Sequence, residues 1–246
     1  MDNDKFYYSC LSSEQKAKFD LLSEILRCEN KIHNLTRITD PDEIVLRHFC
    51  DSLAVVDIIK SAIRPDESLS LIDIGSGAGF PGLAIAIAIP EINVTSVDAT
   101  GKKIHFQQRA IEELGLDNVT AVCGRAEELA REGLYREKFD FAVSRAVASL
   151  SMLAELAMGF VKPGGKFLAW KGQKANEELS TADQAIKTLG GEVTGKIKYS
   201  LGQIQSPDFP PEPQSPLRIV SITKKNRTPA IYPREYKLIK KQPLGD

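Results

Sequence analysis

Residues 71–82 read Leu-Ile-Asp-Ile-Gly-Ser-Gly-Ala-Gly-Phe-Pro-Gly, and this run constrains the fold more than any other. Leu69 to Ile74 is a short apolar stretch suited to a buried strand. Glycines follow at alternate positions (Gly75, Gly77, Gly79), and a second apolar run, Leu83 to Ile89, is long enough for a helix. A strand that turns through glycines into a helix lets a ligand approach bare backbone, since glycine accepts positive φ and has no Cβ to clash. The first N–H groups of the helix then face that ligand with positive partial charge. Pro81 suits the first turn, where its missing N–H costs nothing. A nucleotide-like ligand is expected here.

The pattern admits two cofactors. Gly77-Ala-Gly79-Phe-Pro-Gly82 satisfies the dinucleotide fingerprint and so allows a NAD(P)-dependent oxidoreductase. The fuller run places Asp73 two residues before the first glycine. A carboxylate there would repel a pyrophosphate but would suit the sulfonium and ammonium of S-adenosyl-L-methionine; its other reading is a helix N-terminal charge or a loop acid. A second β-rich run, Asn93 to Val97, ends in Asp98, 23 positions after Gly75. That is near the spacing at which a strand-tip acid bonds ribose hydroxyls. A third, Val119 to Cys123, leads into Gly124-Arg125-Ala126-Glu127, where a backbone N–H and a carboxylate can read an adenine edge. A fourth, Phe139 to Val143, opens into Ser144-Arg145-Ala146. Asp73, Asp98 and Ala126-Glu127 at successive strand tips favour the methyl donor.

Around this centre, strands alternate with helical patterns. Helices are expected at Lys102 to Leu114, Leu150 to Ala157 and Asn176 to Leu189, with further strands at Phe167 to Trp170, Val193 to Tyr199 and Leu217 to Thr223. Such alternation implies a mostly parallel sheet covered on both faces. Before the first strand, Ser12 to Arg27 has helical periodicity with Phe19, Leu22, Ile25 and Leu26 on one face. Asp40-Pro41 starts a second helix running to Ile59, and Pro65-Asp66-Glu67-Ser68 is the expected boundary. Ser206 to Pro216, with five prolines, reads as an extended connector. The 246 residues, 42% apolar, suffice for one full core. Cys10, Cys28, Cys50 and Cys123 are scattered without C-x-x-C pairs, so no metal site is expected. No signal peptide or membrane-length apolar run is evident, which predicts a cytoplasmic protein.

The net charge of −1 hides an asymmetry. From Pro216 onward eight Lys/Arg face Glu235 and Asp246, so this segment carries +6 and the remainder −7. Lys162, Lys166, Lys171 and Lys174 form a second acid-free stretch. Tyr232 and Tyr236 interleave with the C-terminal cations, as a nucleic-acid surface requires; a solvated polar tail has the same composition.

The motifs together resemble the bacterial ribosomal RNA small subunit methyltransferase G family, also called glucose-inhibited division protein B, from about Leu21 to Leu244. The resemblance is carried by Asn34-Leu-Thr-Arg-Ile, Arg47-His-Phe-Cys-Asp51-Ser52, Asp73 to Gly82, Ser144-Arg-Ala, Trp170-Lys-Gly-Gln173 and Tyr232-Pro-Arg234, in that order. It implies an α/β, Rossmann-like S-adenosylmethionine-dependent methyltransferase core over residues 69–246, with an N-terminal helical extension over 1–68. It further implies methyl transfer to guanine N7 in the 16S rRNA loop near the decoding centre, with 16S rRNA or the small ribosomal subunit as partner and a monomeric enzyme. A methyltransferase for a small molecule or protein is the alternative, and an oxidoreductase a more distant one. By motif, Gly75, Phe80, Ala126, Glu127 and Arg145 correspond to cofactor-binding positions; the glycine run adds Asp73 and Gly77, and strand-tip geometry adds Asp98. The chain departs from the family after Arg234, where Glu-Tyr-Lys-Leu-Ile-Lys-Lys replaces a glycine- and proline-containing basic stretch, and in Asp98-Ala-Thr, where a serine is expected after the acid.

Guanine N7 carries a lone pair and no proton, so this reaction needs no general base. In-line alignment is worth about 7–11 kcal/mol. Arg145, Lys171 and His48 are the positioning candidates. The two cations would hold phosphate, guanine O6 or the cofactor carboxylate, or else pair with nearby acids. His48 and Asp51, three apart, share one helix side and would touch substrate or tie the cap to the core. His33 and His105 read as surface or packing residues, and Trp170 as core.

Overall fold

The structure is a computed structural model that describes residues 10–65, 67–145, 148–199, 201 and 217–245. The charged N-terminus, Asp66 of the expected boundary, Ala146 and the proline-rich connector Ser206 to Pro216 lie outside the described residues.

Seven strands form one sheet: β1 (Leu69–Ile74), β2 (Ile92–Asp98), β3 (Val119–Cys123), β4 (Phe139–Ser144), β5 (Val161–Lys171), β6 (Gly191–Tyr199) and β7 (Leu217–Lys224). Their spatial order is β3-β2-β1-β4-β5-β7-β6. The β1–β5 pairings are parallel, and β7 runs antiparallel to both neighbours. The chain winds outward from β1 to β3 and then resumes on the other side of β1 with β4. Strand order therefore reverses between β1 and β4, and the crevice beyond their carboxyl ends is where open α/β sheets bind ligands. Chains of known structure share this fold: a Galdieria sulphuraria protein provisionally assigned as a sarcosine dimethylglycine methyltransferase superposes with a TM-score of 0.53 at 12% identity, covering 76% of this chain and 89% of that one.

Helices cover both faces. On one lie α1 (Ser13–His33), the segment 41–60, α5 (Gly82–Ala88) and α6 (Gly101–Leu114); their apolar residues, including the anticipated Phe19, Leu22, Ile25 and Leu26, merge with Leu69, Leu71, Leu168 and Trp170 into one cluster. On the other lie α7 (Ala126–Leu129), α8 (Leu150–Met158) and α9 (Ala175–Thr188), packed on Ile72, Ile74, Phe167, Val220 and Ile222. Helix α1 begins with a capping box: Ser12 Oγ accepts the Gln15 N–H (3.1 Å) and Gln15 Oε1 accepts the Ser12 N–H (2.9 Å). The Gln15 amide also donates to the carbonyls of Ile87 and Ala88, tying α1 to the end of α5.

Three expectations need correction. The helix expected from Asp40 to Ile59 is not regular. Asp40 caps it as predicted, accepting the Glu43 N–H (3.0 Å), but α2 (Pro41–Ile44) passes into a π-helical stretch, Val45–Cys50, then α3 (Asp51–Leu53), and after a break α4 (Val56–Lys60). The strand expected from Phe167 begins at Val161, because β5 absorbs Lys162–Gly165 as a bulge opposite Phe139–Phe141. At Gly165 a Cβ would lie 2.6 Å from the Asp140 carbonyl, so glycine here serves a close backbone approach.

Nor is the basic C-terminal segment a solvated tail. Strand β7 is interior, and Lys224 is fully buried, donating to the Met158 carbonyl and the Thr228 hydroxyl and pairing with Glu137 at 3.4 Å. Arg136 donates to the carbonyls of Thr228 and Tyr232 (2.9 and 3.0 Å), and Arg131 to that of Pro233. Arg234 forms a two-pronged pair with the fully buried Glu155 (2.8 and 2.7 Å). A last helix, α10 (Tyr236–Lys241), follows and rests on α8.

Candidate functional site

At the end of β1, Gly75, Gly77 and Gly79 all take positive φ (68°, 61° and 87°). The turn is held from below by Val97, whose carbonyl accepts the N–H groups of Gly75 and Ser76 (2.9 and 3.0 Å). From the side, the buried Gln107 amide donates to Ser76 Oγ and the Gly77 carbonyl (2.9 Å each). The three glycines differ in what surrounds them. A Cβ on Gly79 would sit 2.4 Å from Leu83, whereas one on Gly77 would meet nothing within 4 Å. Gly77 is thus the position where bare backbone faces open space.

Asp73 is fully buried. Its Oδ2 accepts the Gly82 N–H (2.8 Å), and its Oδ1 is buried without a partner. Burial pushes its carboxyl up to about 7, against the opposing pull of that N–H and of Arg145. Two expectations change. The start of α5 does not offer its N–H groups to a ligand, because Asp73 already occupies the first of them. A pyrophosphate at this helix end would lie against a buried carboxylate, so the dinucleotide reading of Gly77–Gly82 loses its anion site. Pro81 precedes the helix as its N-cap rather than sitting within the first turn.

Asp98, at the tip of β2, is buried and engaged on both oxygens: Oδ2 accepts the Gly77 N–H (3.0 Å) and Oδ1 the Thr100 N–H (2.8 Å), with Lys103 Nζ at 3.4 Å. Each oxygen keeps a lone pair able to accept a hydroxyl. The tip of β3 docks beside it through the Gly124 N–H to the Asp98 carbonyl (3.1 Å). There Ala126 opens α7, and Glu127 is buried with Arg125 3.6 Å away.

Arg145, just beyond β4, joins this crevice to a second region. Its Nη1 donates to the Arg47 carbonyl and to Asp51 Oδ2 (2.8 Å each), and its Nη2 donates to His48 Nδ1 (3.1 Å). A guanidinium has no lone pair to offer, so His48 Nδ1 is the acceptor and the ring proton is on Nε2, which donates to Thr36 Oγ1 (3.0 Å). Burial, and Arg145 beside it, push the imidazole down to about 3; the ring is neutral at any working pH. It stacks on Phe80 (4.7 Å between centroids, 2° between planes), and the Arg145 guanidinium lies 5.7 Å from the Phe80 centroid. Asp51 also accepts the Tyr199 hydroxyl, and its carbonyl accepts the Trp170 indole N–H (3.0 Å). The π-helical stretch makes this convergence possible by re-aiming Arg47, His48 and Asp51 toward one guanidinium.

Beyond Arg145 opens a cavity of about 540 Å³, lined among others by Asp51, Arg145, Trp170, Lys171, Glu178 and Tyr199. Lys171 is buried and donates to the Ala148 carbonyl and to Glu178 (2.7 Å).

The whole chain can be set beside known proteins. A model of the family described as rRNA small subunit methyltransferase G matches residues 15–203. This chain belongs to that family. A Leuconostoc citreum protein named ribosomal RNA small subunit methyltransferase G is 40% identical over 236 residues, 96% of this chain and 93% of that one. Its Streptococcus pneumoniae counterpart is 39% identical over 234 residues, covering 95% and 93%.

Within this family member the structure gathers the sequence-derived residues into two groups. Asp73, Gly75, Gly77, Asp98, Ala126 and Glu127 lie along the tips of β1, β2 and β3. His48, Phe80, Arg145 and Lys171 lie on the other side of β1, by the cavity. Both cations pair with acids. Sequence reasoning missed Gln107, Tyr199 and Glu178. None belongs to a motif, and each reaches the site from a regular element whose only sequence signal is periodicity. Among the described residues no helix is long and apolar enough to cross a membrane.

Proposed function

We propose that this chain transfers a methyl group from S-adenosyl-L-methionine to guanine N7 in the decoding-region loop of 16S ribosomal RNA, acting as a cytoplasmic monomer on free rRNA or the small subunit. Membership of the rRNA small subunit methyltransferase G family along nearly the whole chain carries the substrate assignment.

The site fits the donor. A buried carboxylate oxygen without a partner, Asp73 Oδ1, suits a cationic ligand, and the open space at Gly77 admits its chain against bare backbone. Asp98 would accept its ribose hydroxyls, and Ala126 and Glu127 would read its adenine edge. When bound, S-adenosylmethionine supplies an electrophilic methyl on a sulfonium. The chain's own residues supply position. Asp51 and His48 fix the Arg145 guanidinium, and the cavity beside it, walled by Trp170 and Tyr199, is broad enough for a purine. No proton leaves N7, which agrees with a neutral, fully hydrogen-bonded His48. The purine gains positive charge as it reacts; Asp51 beside Arg145 and Glu178 beside Lys171 offset the cations that would oppose this.

The deciding experiment incubates the protein with labelled donor and either naked 16S rRNA or intact small subunits, followed by borohydride and aniline cleavage. One guanine should become cleavable. Labelled RNA without a cleavable guanine would overturn the N7 assignment.

A further inference from the structure

The eight C-terminal cations looked like the RNA surface in the sequence, yet most are spent inside the fold: Lys224 is buried, and Lys225, Arg227 and Arg234 pair with Glu192, Glu137 and Glu155. The free charge lies elsewhere. In the register of the antiparallel edge, Lys171 stands opposite Arg218, and Arg218 opposite Lys198, so one row of three cations crosses β5, β7 and β6. Lys196 stands opposite Val220, two residues along β6 from Lys198 and therefore on the same face, about 6.7 Å away.

This arrangement depends on a bulge. The pairing shifts between Val193 and Gly195, and the extra residue inverts the alternation of everything beyond it. Ile197 and Tyr199 turn inward against the α1-side cluster, and the two lysines turn outward. Lys196 and Lys198 are exposed and make no ion pair with any described residue, and neither does Lys174, exposed at the start of α9. Like charges directly opposite each other destabilise a strand pair, and Lys198 faces Arg218 in that way. A polyanion laid across the row would relieve the repulsion. The row also starts at the cavity, because Lys171 lines it together with Gly172 and Leu217.

We propose that this bulged edge, Arg218, Lys198 and Lys196 with Lys174 beside them, is the track for the single-stranded RNA backbone flanking the target guanine. The proposal rests on the rRNA reading above and commits to phosphate as the recognised group. Helix α10, with Lys237, Lys240 and Lys241, is the competing surface. It follows Arg234, which is anchored in the second half of α8, away from the α8 start at Leu150 that adjoins the cavity.

The test measures binding of a 16S rRNA fragment across a potassium chloride series, and KM for RNA, in three proteins besides wild type: Lys196→Gln/Lys198→Gln, Lys196→Arg/Lys198→Arg, and Lys237→Gln/Lys240→Gln/Lys241→Gln. The first should raise KM for RNA about tenfold and reduce the slope of log K against log salt by about 1.4, two single-strand phosphate contacts, with donor affinity unchanged. The arginine pair should retain wild-type slope, and the α10 variant should lie close to it. A glutamine pair with wild-type slope and KM overturns the track and leaves its lysines guarding a sheet edge against pairing with other chains. Loss of slope in the α10 variant alone overturns it in favour of that helix. A wild type that binds and methylates no RNA overturns the rRNA reading and the track with it.

Discussion

Asp73 combines full burial, one satisfied oxygen and one bare one, and its chemistry sets a pH dependence. Its folded pKa of about 7 lies above the ordinary aspartate value, so the folded protein holds a proton there that the unfolded chain has lost. Stability from this group is therefore greatest near pH 4 and falls as pH rises toward 7. A cationic donor requires the ionised form, so its binding should release a proton and weaken below about pH 7. Calorimetry in two buffers of different ionisation enthalpy reads this directly. Asp73→Asn, which keeps an acceptor for the Gly82 N–H, should remove the proton release and the acid-side stability slope and weaken the donor by about tenfold or more.

Two glycines four ångströms of chain apart in role make a sharper comparison. Gly77→Ala meets open space but demands a left-handed alanine, costing about 1–2 kcal/mol, and its methyl would fill the place assigned to the donor. Gly79→Ala adds a collision with Leu83. Thermal melts should show Gly79→Ala as the less stable variant, while donor titration should show Gly77→Ala folded and about tenfold or more weaker. The sequence showed the glycine run as a ligand turn. It could not rank its members, since ranking needs the neighbours that the fold brings in.

Among elements, legibility follows how local the signal is. The β1–glycine–α5 unit and the Ser12 cap could be read directly, because strand period, turn residues and caps act within a few positions. The π-helical stretch and the two bulges could not. Each inserts residues into a pattern whose partner lies far away in sequence, as Lys162–Gly165 does against Phe139–Phe141. The π-helical stretch is also where function concentrates, since it delivers His48 and Asp51 to Arg145. Asp51→Ala removes a mostly buried ion pair and the acceptor of Tyr199; urea unfolding should show a loss of about 3 kcal/mol. The donor crevice around Asp98 is held by separate contacts, so donor affinity should change far less than the methylation rate.

At the scale of the molecule, composition misled about the C-terminus because charge counting cannot see pairing. The cations there meet Glu137, Glu155 and Glu192, acids that the same count assigned to the remainder of the chain. Glu155→Gln should cost about 3 kcal/mol by leaving Arg234 half-buried without its counter-charge, measured by urea midpoint, with donor binding intact under native conditions.

The inner place of β7 has a consequence for synthesis. The strand that completes the sheet is the last one made, and until it arrives β5 has a bare edge and β6 no neighbour. A chain halted after Tyr199 would present two open strand edges to its surroundings, and such products should aggregate or be degraded rather than persist as partial enzymes. Maturation is thus tied to translation of nearly the entire message, and a fusion partner is better borne after the last residue than any shortening before it.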